Sequence, residues 1–452
     1  MASGARASQE HSVRQYLARH ATAEVRLAEA ISARYRAVLV VPAFSEAPGL
    51  LTQYQTALAR APGRVLTVVV VNAAQAQAEA SWSLHRELLE DLRGDSARAL
   101  GSEHAWLARH PDTDVLCIDR AHPERCFPDG QGVGLARRIG CDVALALYAA
   151  GRVEDPFVYC TDADAELPGD YFRGPAPAED VAALVFPFWH EPGGDPPIDA
   201  ATALYELGLR YYVDGLAQAG SPFAFHTVGS ALAVRASAYA AVRGFPKRLA
   251  GEDFYILNKL AKVGTIARVA QAPLRLRSRA SLRTVHGTGA AAVRLAAQAD
   301  ASETPFYHPG IFPLLGHWLD ALKRFARTRQ LELVRAELAA AAGESWTALQ
   351  ELLDQLGAWP ALEQAAGQCH GAPALLGRLH TWFDAFRTLK LVHGLRGRGW
   401  PSLPFRDALA GSACCSSLQA RQATIDELRS LLLEREAGRT ALLGVGSTHA
   451  GT

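Results

Sequence analysis

Four short apolar runs punctuate the first part of the chain: AVLVVP at 37–42, VLTVVVVN at 65–72, DVLCID at 114–119 and FVYCTD at 157–162. Their apolar positions are contiguous rather than alternating, and Val dominates, which predicts strands covered on both faces as in a parallel α/β sheet. Between the last two, GVGLARRIGCDVALALYAAG repeats Leu135, Ile139, Val143 and Leu147 at every fourth position, the stripe of a helix lying on a sheet. This alternation continues to about residue 265. It predicts an α/β fold with an open, mostly parallel, doubly wound sheet and crossover helices. Beyond about residue 305 the Val-rich runs stop, and Ala/Leu-rich amphipathic stretches at 330–341, 346–357 and 418–435 predict a helical C-terminal region. Leu418, Ile425, Leu428 and Leu432 approximate a heptad seam over too few heptads for a coiled coil, so packing on the rest of the chain is expected. The organisation expected is an N-terminal helical segment (1–34), an α/β domain (35–305) and a helical region (306–452).

Composition narrows the function classes. The chain has 452 residues, 49% hydrophobic and 20% charged, and its 46 Lys plus Arg equal its 46 Asp plus Glu. A net charge of zero offers no bulk attraction for nucleic acid, and no nucleic-acid partner is expected. No stretch approaches the ~20 apolar residues that span a bilayer, and the start lacks the apolar core of a signal peptide. A cytoplasmic protein with no transmembrane segment is therefore expected. The seven cysteines show no CxxC spacing and read as reduced thiols.

Candidate chemistry gathers at strand ends, where ligands bind in doubly wound sheets. FVYCTDADAELP (157–168) runs from an apolar strand into Asp162, Asp164 and Glu166. Acids there either terminate a strand through turn hydrogen bonds or aim two carboxylates at a hard divalent cation. PAFSE (42–46) follows the first strand and Asn72 ends the second. Gly130, Gly132 and Gly134 precede Arg137 and Arg138 at a helix start, where backbone N–H groups and arginines suit a phosphate. Their G-x-G-x-G spacing is not the dinucleotide fingerprint, which disfavours a Rossmann dehydrogenase. In GEDFYILNKLAKVG, Glu252 and Asp253 open a helix with an apolar face of Phe254, Leu257, Leu260 and Val263. The acids serve there as an N-terminal cap or as a general base. Arg275, Arg277, Arg279, Arg283 and His286 form a basic run that is either a solvated face or a loop over a pyrophosphate. Trp189, His190, Glu191, Tyr211 and Tyr212 are candidates for stacking on or binding a sugar acceptor, or for packing.

Taken in order, VVPAFSE, VVVVN, GVGLARRIGCDVA, CTDADAELPGDYF, GSALAVRASAY and GFPKRLAGEDFYILNKL resemble the blocks of family 2 glycosyltransferases of the GT-A fold, over about residues 36–265. The resemblance implies a hexosyltransferase-like enzyme with a nucleotide-diphospho-sugar donor, and Mg2+ or Mn2+ held at the DxD. It implies Pro42, Ala43 and Glu46 along the nucleotide, Asp162 and Asp164 at ribose and metal, His286 as a third metal ligand, and Asp253 as base beside Glu252. Asn72, Gly132, Arg137 and Arg279 complete the expected donor site. The chain has Ser45 where the family has Asn, and Asn72 where it has the Asp that often reads the base, so the base is not assigned. The acceptor, whether glycan, lipid-linked or small molecule, is not assigned either. The C-terminal helices are candidates for a homodimer contact. Two alternatives stand beside this reading. A nucleotidyltransferase would want a basic residue in the loop after the first strand, which PAFSEAPG lacks. A degenerate sugar-nucleotide-binding protein remains compatible with Ser45 and Asn72.

Overall fold

The computed structural model describes residues 2–101, 104–174, 177–281, 287–298 and 300–445. The chain divides into two compact units, residues 1–195 with 227–290 and residues 196–226 with 291–452. The division differs from the expected boundary at 305/306: the helical unit begins at 291 and also takes in 196–226.

In the first unit the strands are β1 Ala37–Ala43, β2 Val65–Asn72, β3 Arg98–Ala99, β4 Ala105–Arg109, β5 Thr113–Arg120, β6 Phe157–Cys160, β7 Ala165–Glu166, β8 Val181–Val185, β9 Phe188–Glu191, β10 Leu232–Arg235, β11 Thr265–Arg268 and β12 Leu274–Arg277. Nine of them form one sheet in the order β11-β8-β10-β6-β1-β2-β5-β4-β3, and β7-β12-β9 form a second. The four Val-rich runs are the parallel centre, β6-β1-β2-β5. β10 runs antiparallel to both β6 and β8, and β4 antiparallel to β5, so the sheet is mixed but mostly parallel.

The helices are α1 Ala2–Arg19, α2 Gln55–Ala59, α3 Gln75–Arg93, α4 Val133–Ala149, α5 Pro196–Gln218, α6 Ala236–Ala241 and α7 Glu252–Leu260, with α5 belonging to the second unit. Leu39, Val41, Val69 and Val71 pack with Leu88, Leu89 and Leu92 of α3. Val40 points the other way and meets Gly140 of α4. The sheet is covered on both faces, which explains why its strands are apolar at successive positions. All four stripe residues of α4 are buried as expected. The N-terminal segment is anchored on the same helix. Fully buried Asp142 accepts hydrogen bonds from the Tyr16 and Tyr239 hydroxyls, both 2.6 Å, and from the Thr22 N–H, 2.8 Å.

One feature of register opens the sheet. β1 pairs with β2 through Ala43, whereas its pairing with β6 ends at Val40 opposite Cys160. The chain moves from β1 outward through β2 and β5, then returns on the other side of β1 as β6. The carboxyl ends of β1 and β6 therefore diverge at a topological switch point, where such sheets form a crevice.

The second unit is helical. The expected stretches become Leu331–Ala342, Trp346–Gln355 and, in place of one segment, Ser417–Gln422 and Ile425–Val445. Leu428 and Leu432 are buried with Tyr211, Phe306 and Phe405, while Leu418 is 62% exposed. The seam is thus interrupted and its buried half packs within its own unit. No helix among the described residues is long and apolar enough to cross a membrane.

Val40 is fully buried in a central strand, and a Cβ on Gly140 would overlap its side chain. Gly140→Val is expected to destabilise the first unit by about 1–3 kcal/mol, more than the few tenths its better helix propensity returns. The midpoint of urea unfolding measures this, and an unchanged midpoint would show that α4 can move off β1.

Candidate functional site

The crevice is lined with acid. The Thr161 N–H donates to the Val40 carbonyl at 3.1 Å, extending the strand, and the chain then turns, with the Ala165 N–H donating to the Asp162 carbonyl at 3.2 Å. Asp162 and Asp164 thus share one tight turn. Fully buried Tyr54 donates its hydroxyl to the same Asp162 carbonyl at 2.8 Å. Nothing in the surrounding sequence marked Tyr54, a single Tyr in a stretch without a motif.

The centre of the site is Arg137, in the first turn of α4 and 1% exposed. Its Nη1 donates to Glu252 Oε1 at 2.6 Å and its Nη2 to Asp162 Oδ1. Burial opposes the guanidinium charge, but Asp162 and Glu252 together favour it more, and the pKa is raised. In this structure the arginine expected at the donor site is paired with two carboxylates. The role expected of the glycines before it is corrected. The Gly134 N–H donates to the Arg248 carbonyl at 3.1 Å, and a Cβ there would collide with the backbone of Pro246 and Arg248. Gly132 lies against Leu249. These glycines admit residues 246–249, the segment that leads into α7, rather than cradling a ligand.

Gly251, at φ 74°, turns that segment into α7, whose first residues are Glu252 and Asp253. Glu252 is buried, and burial together with the Asp253 and Asp162 charges pushes its pKa up to about 7 against the pull of Arg137. Asp253 is half-buried, accepts a hydrogen bond from the Phe254 N–H at 2.7 Å, and has no ion pair among the described residues. Burial also raises its pKa, which Arg137 opposes. The two acids therefore divide the alternative roles, with Glu252 paired and Asp253 unpaired. On the apolar face Leu257 and Leu260 are buried as expected, but Val263 is 53% exposed.

The second sheet supplies the other wall. β12 pairs antiparallel with β7, Leu276 opposite Ala165, which carries the residues after β12 back to the acidic turn. Arg279 there bonds Asp164 at 2.8 Å and Glu46 at 3.2 Å. Burial pushes the Asp164 carboxyl up, Arg279 opposes this, and Asp162 and Glu46 add to it. Glu46 follows Ser45, a non-glycine residue in the left-handed region at φ 53°, whose N–H donates to His85 Nε2 at 2.9 Å.

Other expected residues are placed differently. Pro42 and Ala43 are buried in β1. Asn72 is buried at the end of β2, and its Oδ1 has no hydrogen-bond partner among the described residues. Trp189, His190 and Glu191 lie on β9, where Glu191 pairs with Arg275 at 3.1 Å and His190 is buried. Tyr211 belongs to the core of the helical unit, buried, with its hydroxyl on the Tyr307 carbonyl at 2.8 Å, and its expected acceptor role is corrected to packing. Arg283 and His286 lie outside the described residues.

Carboxylates are the ligand type that a hard divalent cation takes. Glu46, Asp162, Asp164 and Glu252 pair with the guanidiniums of Arg137 and Arg279, and Asp253 lies next to Glu252 in the chain. Among the described residues no group of three or more His, Cys, Asp or Glu is disposed around a common ion. A Mg2+-type site needs only one or two protein carboxylates when substrate phosphates complete it. An open groove of about 310 Å3 beside Ser12, Asp180 and Arg235 is lined by none of these residues. In comparisons with known proteins, no family model and no curated sequence matches the chain.

Because Glu252 is raised from an ordinary value of 4.5, its contribution to stability is fully present below that pH and is lost as pH rises through about 7. Arg137→Met leaves Glu252 and Asp162 without their counter-charge and is expected to destabilise the unit by about 3–5 kcal/mol at pH 8. The loss should shrink at pH 5.5, where Glu252 takes up a proton. Urea unfolding at the two pH values reads both numbers, and an equal loss at each would contradict the assigned pairing.

Proposed function

We propose that the chain is a metal-dependent glycosyltransferase that moves a sugar from a nucleotide-diphospho-sugar donor to an acceptor hydroxyl. The observation that carries this reading is the convergence, at the diverging carboxyl ends of β1 and β6, of acids from three separate segments: Glu46, Asp162 with Asp164, and Glu252 with Asp253. A GT-A-like arrangement, with the DxD beside the donor diphosphate and the α7 acid toward the acceptor, is consistent with that geometry.

Asp162 and Asp164 would hold Mg2+ or Mn2+, which when bound neutralises charge on the departing diphosphate as a Lewis acid. The remaining roles belong to the chain. Asp253 is the one carboxylate of the α7 pair without a hydrogen bond to Arg137 among the described residues, and burial raises its proton affinity above that of an ordinary aspartate, as a proton acceptor requires. It takes the proton of the acceptor hydroxyl as that oxygen bonds the anomeric carbon. The bond from that carbon to the diphosphate oxygen breaks, and the nucleoside diphosphate leaves with the electron pair. Asn72 Oδ1, buried and with no hydrogen-bond partner among the described residues, would accept a hydrogen bond from the nucleotide base. A second reading, a nucleotide-sugar-binding protein without transfer, is favoured by the pairing of both DxD acids with arginines.

Calorimetric titration with nucleoside diphosphates, with and without Mn2+, tests the donor site. Asp164→Asn is expected to abolish the Mn2+-dependent gain in affinity while leaving the unfolding midpoint nearly unchanged, and a retained gain would remove the metal assignment. Asp253→Asn separates the two readings of α7. Asn keeps the size of Asp but is no base. The variant should bind donor normally and transfer sugar on the order of 100-fold or more slowly. Turnover at the wild-type rate would leave Asp253 as a first-turn charge favouring the helix dipole, worth only about 0.3–1 kcal/mol of stability.

A further inference from the structure

The helical unit contains a second reactive arrangement, unrelated to the acidic crevice. GSACCSS (411–417) joins the helices Phe405–Ala410 and Ser417–Gln422. Adjacent residues in extended chain point to opposite sides, yet this bend brings both sulfurs together, the Cys414 thiol facing Cys415 Sγ at 3.8 Å. Cys414 is 2% exposed and packs in the core that holds Tyr211, Phe405, Leu428 and Leu432. Ser412 Oγ lies 2.7 Å from Cys414 Sγ, accepts from the Cys414 N–H at 3.3 Å and donates to the Leu409 carbonyl at 2.8 Å. Cys415 is half-buried.

We propose that Cys414 and Cys415 form a thiol–disulfide exchange site that reacts with low-molecular-weight disulfides and closes to a disulfide between adjacent residues. Cys415 is the attacking sulfur. It is the more accessible of the two, the hydrogen bond from Cys414 favours its thiolate, and Arg435 adds to this while Asp214 opposes it. Cys414, pushed up by its bond to Cys415 and by burial, stays a thiol until it is needed. The Cys415 thiolate attacks one sulfur of the small disulfide, forms a mixed disulfide and releases one thiolate. That thiolate takes the proton of Cys414, whose sulfur then attacks Cys415 Sγ and expels the second thiolate. The small disulfide is reduced to one thiol, which carries the Cys414 proton, and one thiolate, and the two cysteines are oxidised to one bond, so electrons and protons balance. Closure draws the sulfurs from 3.8 Å to about 2.05 Å.

The other cysteines lack this combination. Cys141 and Cys160 have sulfurs 3.6 Å apart, but both are fully buried and burial raises the Cys141 thiol far above its usual range. Cys117 is fully buried, and Cys126 and Cys369 are half-buried with no second sulfur bonded to them among the described residues.

The full chain, reduced and then exposed to oxidised glutathione, is alkylated, digested and analysed by mass spectrometry. The peptide carrying both cysteines should be lighter by two hydrogens and unalkylated. In Cys414→Ser the glutathione adduct should stop at Cys415 and form about tenfold faster than at Cys126 or Cys369. In Cys415→Ser no adduct should form at Cys414. Persistent glutathione on wild-type Cys415, adducts forming first at Cys126 or Cys369, or an unreactive Cys415 in Cys414→Ser would each overturn the proposal.

Discussion

The α/β unit depends on one buried cation. Arg137 joins Glu252, 115 residues away in sequence, to Asp162, 25 residues away. Removing such charges from water costs several kcal/mol per ion, and the arrangement persists only because the hydrogen bonds are made at the same time. A lysine could not substitute, since a single ammonium lacks the planar fork that reaches two carboxylates from fixed nitrogens. The position of α7 follows from this. Glycines at 132 and 134 let the incoming segment approach α4, Gly251 turns it, and the Glu252 pairing locks the first helical residue. Asp253 is then placed one residue further on, without a cation of its own.

The same geometry sets the charge state of the crevice. Carboxylates at 164, 252 and 253 all have raised proton affinity, chiefly from burial, and each is raised further by a neighbouring acid. Two arginines hold this repulsion in check from opposite sides, Arg137 from the helix face and Arg279 from the second sheet. Arg137 is 1% exposed whereas Arg279 is half-buried. A dication entering the acidic turn would compete with Arg279 long before it could displace Arg137. The more accessible counter-charge is therefore the one carried by residues following β12, a segment whose sequence fits either a solvated face or a loop over a pyrophosphate.

Much of this was legible before any coordinates. Runs of contiguous Val specify doubly covered strands because both faces must be apolar, and the four runs became the four parallel central strands. The four-residue spacing in α4 and the acids after β6 were equally readable, because strand ends and helix stripes are local properties. What could not be read were partnerships across distance. The basic, glycine-preceded start of α4 has the composition of an anion site, and only the arrival of Glu252 from far along the chain turns Arg137 inward. Tyr211 sits at helical spacing with other aromatics, and that pattern is the same for a sugar platform and for a core. Its burial was decided by Phe306 and Tyr307 beyond the expected domain boundary. Tyr54 contributes through a backbone carbonyl, a contact without a sequence signature.

The helical unit repeats the logic of the buried cation with more members. Arg210 pairs with Glu206 at 2.8 Å and with Glu436 at 3.2 Å, Arg429 reaches Glu206 at 2.6 Å, and His226 meets Glu436 at 2.9 Å. Replacing such a network by apolar residues is often neutral or stabilising, so its value lies in specificity: a helix slipped by one turn would leave several buried charges unmatched. Helix Ile425–Val445 is thereby held in one register on α5. That register presents Leu428 and Leu432 to the core containing Cys414, and places Arg435 beside Cys415 while it also bonds Asp214 at 3.1 Å. A cysteine pair in a bend would otherwise be free to separate. Here Cys414 is fixed by packing and by Ser412, so the spacing between the sulfurs becomes a property of the folded unit rather than of the loop.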